Sequence, residues 1–310
     1  MRAVVLKDFG APDNLVAEDV ADPEPGPGQV LIDVEIANIT FVETQIRAGR
    51  APNPAMAPRL PAILGNGVGG VDATTGQRVI TTTGGSGGYA QRAVVDSSWT
   101  IPVPAGLALE DAVALLADGR TATALLRATM PRPGETVLVE AAAGGVGSLL
   151  VQLARNAGAR VIAAAGGPRK MALAREIGAD QAVDYTESGW AAQAGAVDVV
   201  YDGVGGEIAR DAFGLLRDGG RMIMYGAAGG AFAAIADADA VRRGTSLIRG
   251  AQVSPEQMRE LTMSALGEAA AQRLRPVICQ TFPLERAADA HRAIERRETV
   301  GKTLLISGGS

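Results

Sequence analysis

One segment restricts what this chain can fold into more than any other. It reads Thr136-Val137-Leu138-Val139-Glu140, then Ala141-Ala142-Ala143-Gly144-Gly145-Val146-Gly147, then Ser148-Leu149-Leu150-Val151-Gln152-Leu153-Ala154. The first piece is a β-branched apolar run of strand length, and the third has helical apolar spacing. Between them Ala142, Gly144 and Gly147 stand where a tight turn, a close backbone approach and helix-on-strand packing each require a small residue. A helix starting there points unpaired N–H groups and the positive end of its dipole at a bound anion. Strand, glycine turn and helix together predict the phosphate loop of a Rossmann-type dinucleotide-binding domain.

The surroundings have the matching rhythm. Short apolar runs at Thr136 to Glu140, Arg160 to Ala165, Val197 to Asp202, Gly220 to Tyr225 and Ser246 to Gly250 read as strands. Helical patterns at Leu149 to Ala157 and Pro168 to Ile177 separate the first of them, as in a parallel sheet covered on both faces. The first third differs. It is rich in Pro, Gly and β-branched residues, with strand candidates at Arg2 to Leu6, Gln29 to Ala37, Arg78 to Thr82 and Tyr89 to Val95. Gly65-Asn66-Gly67-Val68-Gly69-Gly70 and Gly84-Gly85-Ser86-Gly87-Gly88 read as tight turns. From about Arg273 the pattern returns to strand, helix (Leu284 to Arg297) and strand (Lys302 to Ile306). The fold class is therefore α/β. Residues 114–272 form the expected Rossmann dinucleotide-binding domain, and 1–113 with 273–310 a β-rich substrate domain, in keeping with domains of roughly 100–200 residues.

Cofactor choice is read at the end of the second strand of that unit, where an NAD site places Asp or Glu on the ribose 2′-hydroxyl. Here stand Ala163-Ala164-Ala165-Gly166-Gly167, with Arg169 and Lys170 directly after. No acid at this position repels a 2′-phosphate, and two cations can pair with one. Lys170 is the only lysine between Lys7 and Lys302. The expected cofactor is NADPH.

Scarce residues exclude other chemistry. One cysteine, Cys279, and one histidine, His291, leave no intrachain disulfide and nearly exclude a zinc site of Cys and His ligands. Cys279 reads as a small hydrophobe in a strand, and His291 as a core residue of a helix. The net charge of −5 works against a nucleic-acid partner. No apolar run approaches the ~18 residues of a membrane helix, and Met1 to Val5 lead straight into a strand pattern, so a cytoplasmic protein without a membrane partner is expected.

These motifs together resemble the zinc-free quinone oxidoreductases, zeta-crystallin among them, of the medium-chain dehydrogenase/reductase superfamily. The likeness lies in Phe41 to Gly49, Gly119-Arg120-Thr121-Ala122, Ala142 to Gly147, Asp184-Tyr185, Asp202 to Gly206, Tyr225-Gly226, Phe282-Pro283-Leu284 and Gly301-Lys302. It implies a GroES-like substrate domain beside the Rossmann domain. It places Thr121 at the nicotinamide, Gly144, Gly145 and Val146 at the pyrophosphate, Lys170 and Tyr185 at the 2′-phosphate, and Gly226 with its neighbour Tyr225 at the nicotinamide ribose or amide. Gly166 and Arg169 complete the expected cofactor set with Ala142 and Gly147. The sequence departs from the family pattern where Thr40 replaces an Asn, where Gly67 replaces a Glu, and in a short loop between Val71 and Arg78. Asn38 supplies the missing amide only if the strand register differs.

Hydride delivery to a quinone or enone places negative charge on oxygen, which without zinc must be met by hydrogen-bond donors or solvent. Thr40, Asn38 and Tyr89 are the candidate donors. The expected function is NADPH-dependent reduction of a small quinone, with enone or enoyl C=C reduction, or a non-enzymatic cofactor- or RNA-binding role, as alternatives. The resemblance also implies a homodimer, with Ser246 to Gly250 as its edge strand.

Overall fold

The computed structural model describes residues 1–308 and divides into two units, Met1–Ala117 with Pro276–Ser310, and Asp118–Arg275. The first division falls inside a continuous helix, Leu109–Thr129, which is why composition, changing at the helix start, sets it earlier.

The first unit opens with β1 (Arg2–Leu6), β2 (Leu15–Asp19), β3 (Gln29–Ile39), α1 (Phe41–Arg47), β4 (Ala62–Ile63), β5 (Gly67–Asp72), β6 (Arg78–Thr82), β7 (Arg92–Asp96) and β8 (Ile101–Pro102), followed by α2 (Leu109–Thr129). Strands β2, β1 and β4 form a small antiparallel sheet. The long β3 organises the larger one: β5 lies along one side, and β7 and the C-terminal strand share the other.

Gly65 to Gly70, expected as turns, is in large part strand β5, in the middle of that sheet. The glycines are there for lack of room. A Cβ on Gly70 would stand 2.0 Å from the backbone oxygen of Asp33, at the irregularity in the β3 register, and one on Gly69 would stand 2.3 Å from Val113. Gly84, Gly85 and Gly87, by contrast, have left-handed backbones and do make the expected turn. Tyr89 is not in a strand. The strand expected at Tyr89 to Val95 is β7, three residues later.

The second unit runs β9 (Thr136–Glu140), α3 (Gly145–Asn156), β10 (Arg160–Ala165), α4 (Pro168–Glu176), β11 (Gln181–Asp184), α5 (Trp190–Ala194), β12 (Val197–Asp202), α6 (Gly206–Gly214), β13 (Leu216–Met224), α7 (Asp237–Arg242), β14 (Ser246–Arg249) and α8 (Pro255–Ala270). Its six strands are all parallel, in the order β11-β10-β9-β12-β13-β14. Direction of strand order reverses between β9 and β12, the place where open α/β sheets bind ligands at their strands' C-terminal ends. Burial of Val137, Leu138 and Val139 in the centre contributes roughly 1.5–3 kcal/mol per side chain.

The chain then returns to the first unit as β15 (Ile278–Pro283), α9 (Ala287–Glu295) and β16 (Lys302–Ile306). The single helix expected over Leu284 to Arg297 is a 3-10 turn followed by the shorter α9. Cys279 is exposed, not a core hydrophobe, because β15 is an edge strand whose alternate residues face outward.

Gly70→Ala is expected to destabilise the first unit by about 1–3 kcal/mol, as overpacking against backbone does. Denaturant unfolding checks it, and wild-type stability in the variant would refute the steric account.

Candidate functional site

Two clusters of polar residues stand out, one in each unit. In the dinucleotide-type unit, β9 ends in the expected loop and α3 begins at Gly145, with Gly144 as its N-cap. Gly144, Gly145 and Val146 are partly exposed, while Ala142 and Gly147 are buried behind them. Gly144 N donates to the oxygen of Ala141 (2.8 Å), whereas the N–H groups of Gly145 and Val146, in the first turn, have no intrahelical partner and are open to an anion. A Cβ on Gly147 would lie 2.2 Å from the oxygen of Ala141, and one on Gly145 2.0 Å from Oδ2 of the buried Asp118. The helix therefore starts with Gly147 packed on the backbone of Ala141 and Gly145 packed on the Asp118 side chain, and neither position has room for a side chain of its own.

At the end of β10, Gly166 and Gly167 turn the chain into α4, where Arg169 is exposed and Lys170 half-buried. Tyr185 follows edge strand β11, and its ring lies 3.3 Å from where a Cβ on Gly166 would be. Strand pairing also brings up a carboxylate that the sequence did not place here, since Asp184 pairs with Ala165. Its oxygens accept hydrogen bonds from Gly167 N (2.9 Å), Thr186 N (2.9 Å) and Thr186 Oγ1 (2.6 Å). Against the desolvation that raises it, these bonds hold its carboxyl below the usual range. Asp184 thus fastens the turn that presents Arg169 and Lys170.

Beneath the point where strand order reverses lies a pair of buried acids, Glu140 at the end of β9 and Asp202 at the end of β12. Asp202 Oδ1 accepts from Val204 N (3.0 Å) and Gly205 N (2.7 Å). Burial pushes both carboxyls up. Asp202 is held back by the bond from Glu140 and by those N–H donors, whereas Glu140 rises well above its usual range through burial and the charge of Asp202. Of the two, Glu140 is the acid that holds a proton more firmly. Burial and the same two acids also push the Tyr225 phenol far up, so it stays a neutral donor. Gly226 packs on Gly203, where a Cβ would come within 2.6 Å of its oxygen.

A cavity of about 440 Å³ in this unit is lined by Arg120, Thr121, Ala124, Tyr225, Gly250 and Gln252, among others. It joins the expected Thr121 and Tyr225 to a residue that the sequence reading passed over, Arg120.

In the first unit the three candidate donors have different surroundings. Thr40 is half-buried at the N-terminus of α1, where its N–H donates to Glu43 Oε2 (2.6 Å). Asn38 is buried, its Nδ2 3.5 Å from the oxygen of Val113, and a Cβ on Gly67 would collide with it. In the register adopted, Asn38 pairs with Leu304 of the C-terminal strand. Tyr89, expected as an accessible donor, is fully buried, its hydroxyl placed between Glu43 Oε2 (3.3 Å) and His291 Nε2 (3.0 Å). Buried Glu43, raised by desolvation, also accepts from Asn66 N (2.7 Å). His291 is a core residue of α9, as expected, and burial with the charge of Arg47 lowers it to about 3. Among the described residues no three His, Cys, Asp or Glu side chains stand together as a metal site.

Comparison with known proteins bears on all of this. A family model described as zinc-binding dehydrogenase matches residues 177–305. A 2-haloacrylate reductase from a Burkholderia species is 32% identical, over 99% of this chain and 99% of its own. A quinone oxidoreductase of Pseudomonas aeruginosa is 30% identical, over 96% of this chain and 97% of its own. The solved quinone oxidoreductase of Thermus thermophilus, a structure determined also in complex with NADPH, superposes with a TM-score of 0.85 at 34% identity, covering 99% of this chain and all of that one.

The proton on Glu140 makes stability depend on pH. Between the ordinary carboxyl value and the raised one, the folded chain holds a proton that the unfolded chain releases. Stability is therefore greatest below this window and falls as pH rises through it, by about 1.4 kcal/mol for each pH unit crossed. Glu140→Gln keeps the hydrogen bond without the titration. The melting temperature of this variant is expected to gain on wild type as pH is raised from the ordinary carboxyl range towards the alkaline side, and a difference independent of pH would refute the proton on Glu140.

Proposed function

The chain belongs to the quinone oxidoreductase family of the medium-chain dehydrogenase/reductase superfamily, and on that premise we propose that it reduces small quinones or enones with NADPH. The observation that carries this reading is a double anion site in one unit. The half-exposed start of α3 at Gly145 and Val146 suits a diphosphate, and Arg169 and Lys170, beside a turn whose Asp184 carboxylate is engaged by Gly167 and Thr186, suit a 2′-phosphate.

When bound, the reduced nicotinamide supplies a hydride. The residues of the chain orient and polarise. Gly166 and Tyr185 border the 2′-phosphate end, and Ala142 and Gly147 keep the loop close-packed. Thr121, Tyr225 and Gly226 hold the nicotinamide end, with the neutral Tyr225 phenol as a donor. On the substrate side, the GroES-like unit of 1–117 and 276–310, we assign Thr40 as the donor to the oxygen that gains charge. Asn38 and Tyr89 serve instead as buried supports, since their polar groups face the interior.

Reduction of a C=C bond conjugated to a carboxyl is a second reading, favoured by the name of the Burkholderia relative, 2-haloacrylate reductase. We place the working form as a cytoplasmic homodimer joined along β14, the edge strand of the parallel sheet. A single-chain mass in light scattering would remove the dimer.

Arg169→Ala combined with Lys170→Ala should raise the NADPH Michaelis constant by about tenfold to a hundredfold, the worth of one or two charge-assisted bonds, and leave that for NADH unchanged. An unchanged NADPH constant would refute the 2′-phosphate site. A panel of quinones, enones and acyl thioesters, with and without chelator, should show metal-independent NADPH oxidation. No turnover anywhere, with NADPH still bound in calorimetry, would favour a non-catalytic role.

A further inference from the structure

Most arginines that this fold takes out of water are tied down. Arg47 bonds to the oxygen of Gly10 and to Glu295. Arg221 reaches Glu135 with Nη1 and Nη2, the oxygen of Met130 with Nη2 as well, and that of Thr129 with Nε. Arg120 differs. It is half-buried in the middle of α2, on the wall of the 440 Å³ cavity, and no hydrogen bond or ion pair to another described residue engages its guanidinium. Burial lowers its affinity for the proton, and the charge of Asp118 restores this only in part. Asp118 is two positions earlier on the helix, a spacing that does not put side chains face to face, and it packs at Gly145.

A guanidinium kept charged in a half-dry cavity, with only the charge of Asp118 near it and no hydrogen-bonded acid, is a costly arrangement unless a ligand completes it. Its planar fork of parallel N–H donors matches a carboxylate better than any neutral group. The other polar side chains on this wall, Thr121, Tyr225 and Gln252, are uncharged. Resting on the reductase reading above, we propose that Arg120 binds the carboxylate of the substrate, so that this enzyme acts on α,β-unsaturated carboxylates.

The chemistry needs such a cation. A conjugated carboxylate resists hydride because addition at the β-carbon pushes the C=C electron pair onto the α-carbon and carboxylate, which then carry two negative charges. Arg120 meets the charge that builds on the two oxygens, and its attraction strengthens as that charge grows. A proton from solvent then closes the α-carbon. The substrate gains two electrons and two hydrogens, NADPH becomes NADP⁺, and nothing leaves.

The test compares wild type with Arg120→Met and Arg120→Lys on three acceptors and two ligands. The acceptors are 2-chloroacrylate, whose chlorine helps the α-carbon hold charge, its uncharged methyl ester, and a neutral quinone. The ligands are NADPH and 2-chloropropanoate, the latter titrated by calorimetry into the NADP⁺-loaded protein. Arg120→Met should lower kcat/KM for the carboxylate about a hundredfold and abolish 2-chloropropanoate binding, as loss of a buried charge partner does. Ester and quinone turnover and NADPH affinity should stay within about threefold of wild type, and Arg120→Lys should recover part of the loss. The inference is overturned if Arg120→Met weakens NADPH as much as the carboxylate, which would give Arg120 to the cofactor. It is overturned equally if wild type binds no 2-chloropropanoate, or if carboxylate binding survives the substitution. Quinone turnover without carboxylate turnover sinks this inference and spares the reductase reading; failure of all three acceptors sinks that reading, and carboxylate binding lost in Arg120→Met then still supports Arg120 as an anion site.

Discussion

The contact on which the second unit depends is the approach of Gly147 to the backbone of Ala141, closer than any side chain permits. It lets α3 begin directly at the end of a central strand instead of after a longer connection. As a result the first-turn N–H groups stand at the C-terminal edge of the sheet, where the strand order reverses. The open N–H groups of Gly145 and Val146 are thus a by-product of packing. The same steric economy appears at Gly226 against Gly203 on the other side of the reversal, so each side has a backbone-on-backbone contact.

The first unit uses missing side chains for a different end. In β5 they let α2 and β3 come close, and the space at Gly67 is taken by the Asn38 amide. Around it the unit buries Glu43, Tyr89 and His291 in one hydrogen-bonded chain. A network like this fixes the orientation of α1, and with it Thr40, more firmly than apolar packing would, since each polar group is costly if its partner moves.

Segments in which one force dominates were legible in the sequence. The runs at β9, β10 and β12 are buried on both faces, so hydrophobicity alone delimits them, and the loop that follows β9 has few steric solutions. Strand β5 was not legible, because glycine marks equally a turn and a strand with no space above it, and only the neighbouring backbone decides. Nor was the burial of Tyr89: its partners Glu43 and His291 come from 46 residues before it and 202 after. Cys279 faces outward because β15 is an edge strand, a fact of sheet order rather than of local pattern. Arg120 lies inside a recognisable Gly-x-Thr-Ala segment, and its signal was that a charged residue stood at the variable position of that segment.

The firm hold of buried Glu140 on its proton, beside Asp202, has an electrostatic consequence for the groove above. Two ionised acids directly under the phosphate loop would repel the very ligand that the helix dipole draws in, whereas a singly ionised pair leaves half that repulsion. Occupancy of the groove by a polyanion and retention of this hydrogen therefore reinforce one another. Filling the site makes the acid weaker still, and the fold carries a built-in counterweight to the charge of its guest.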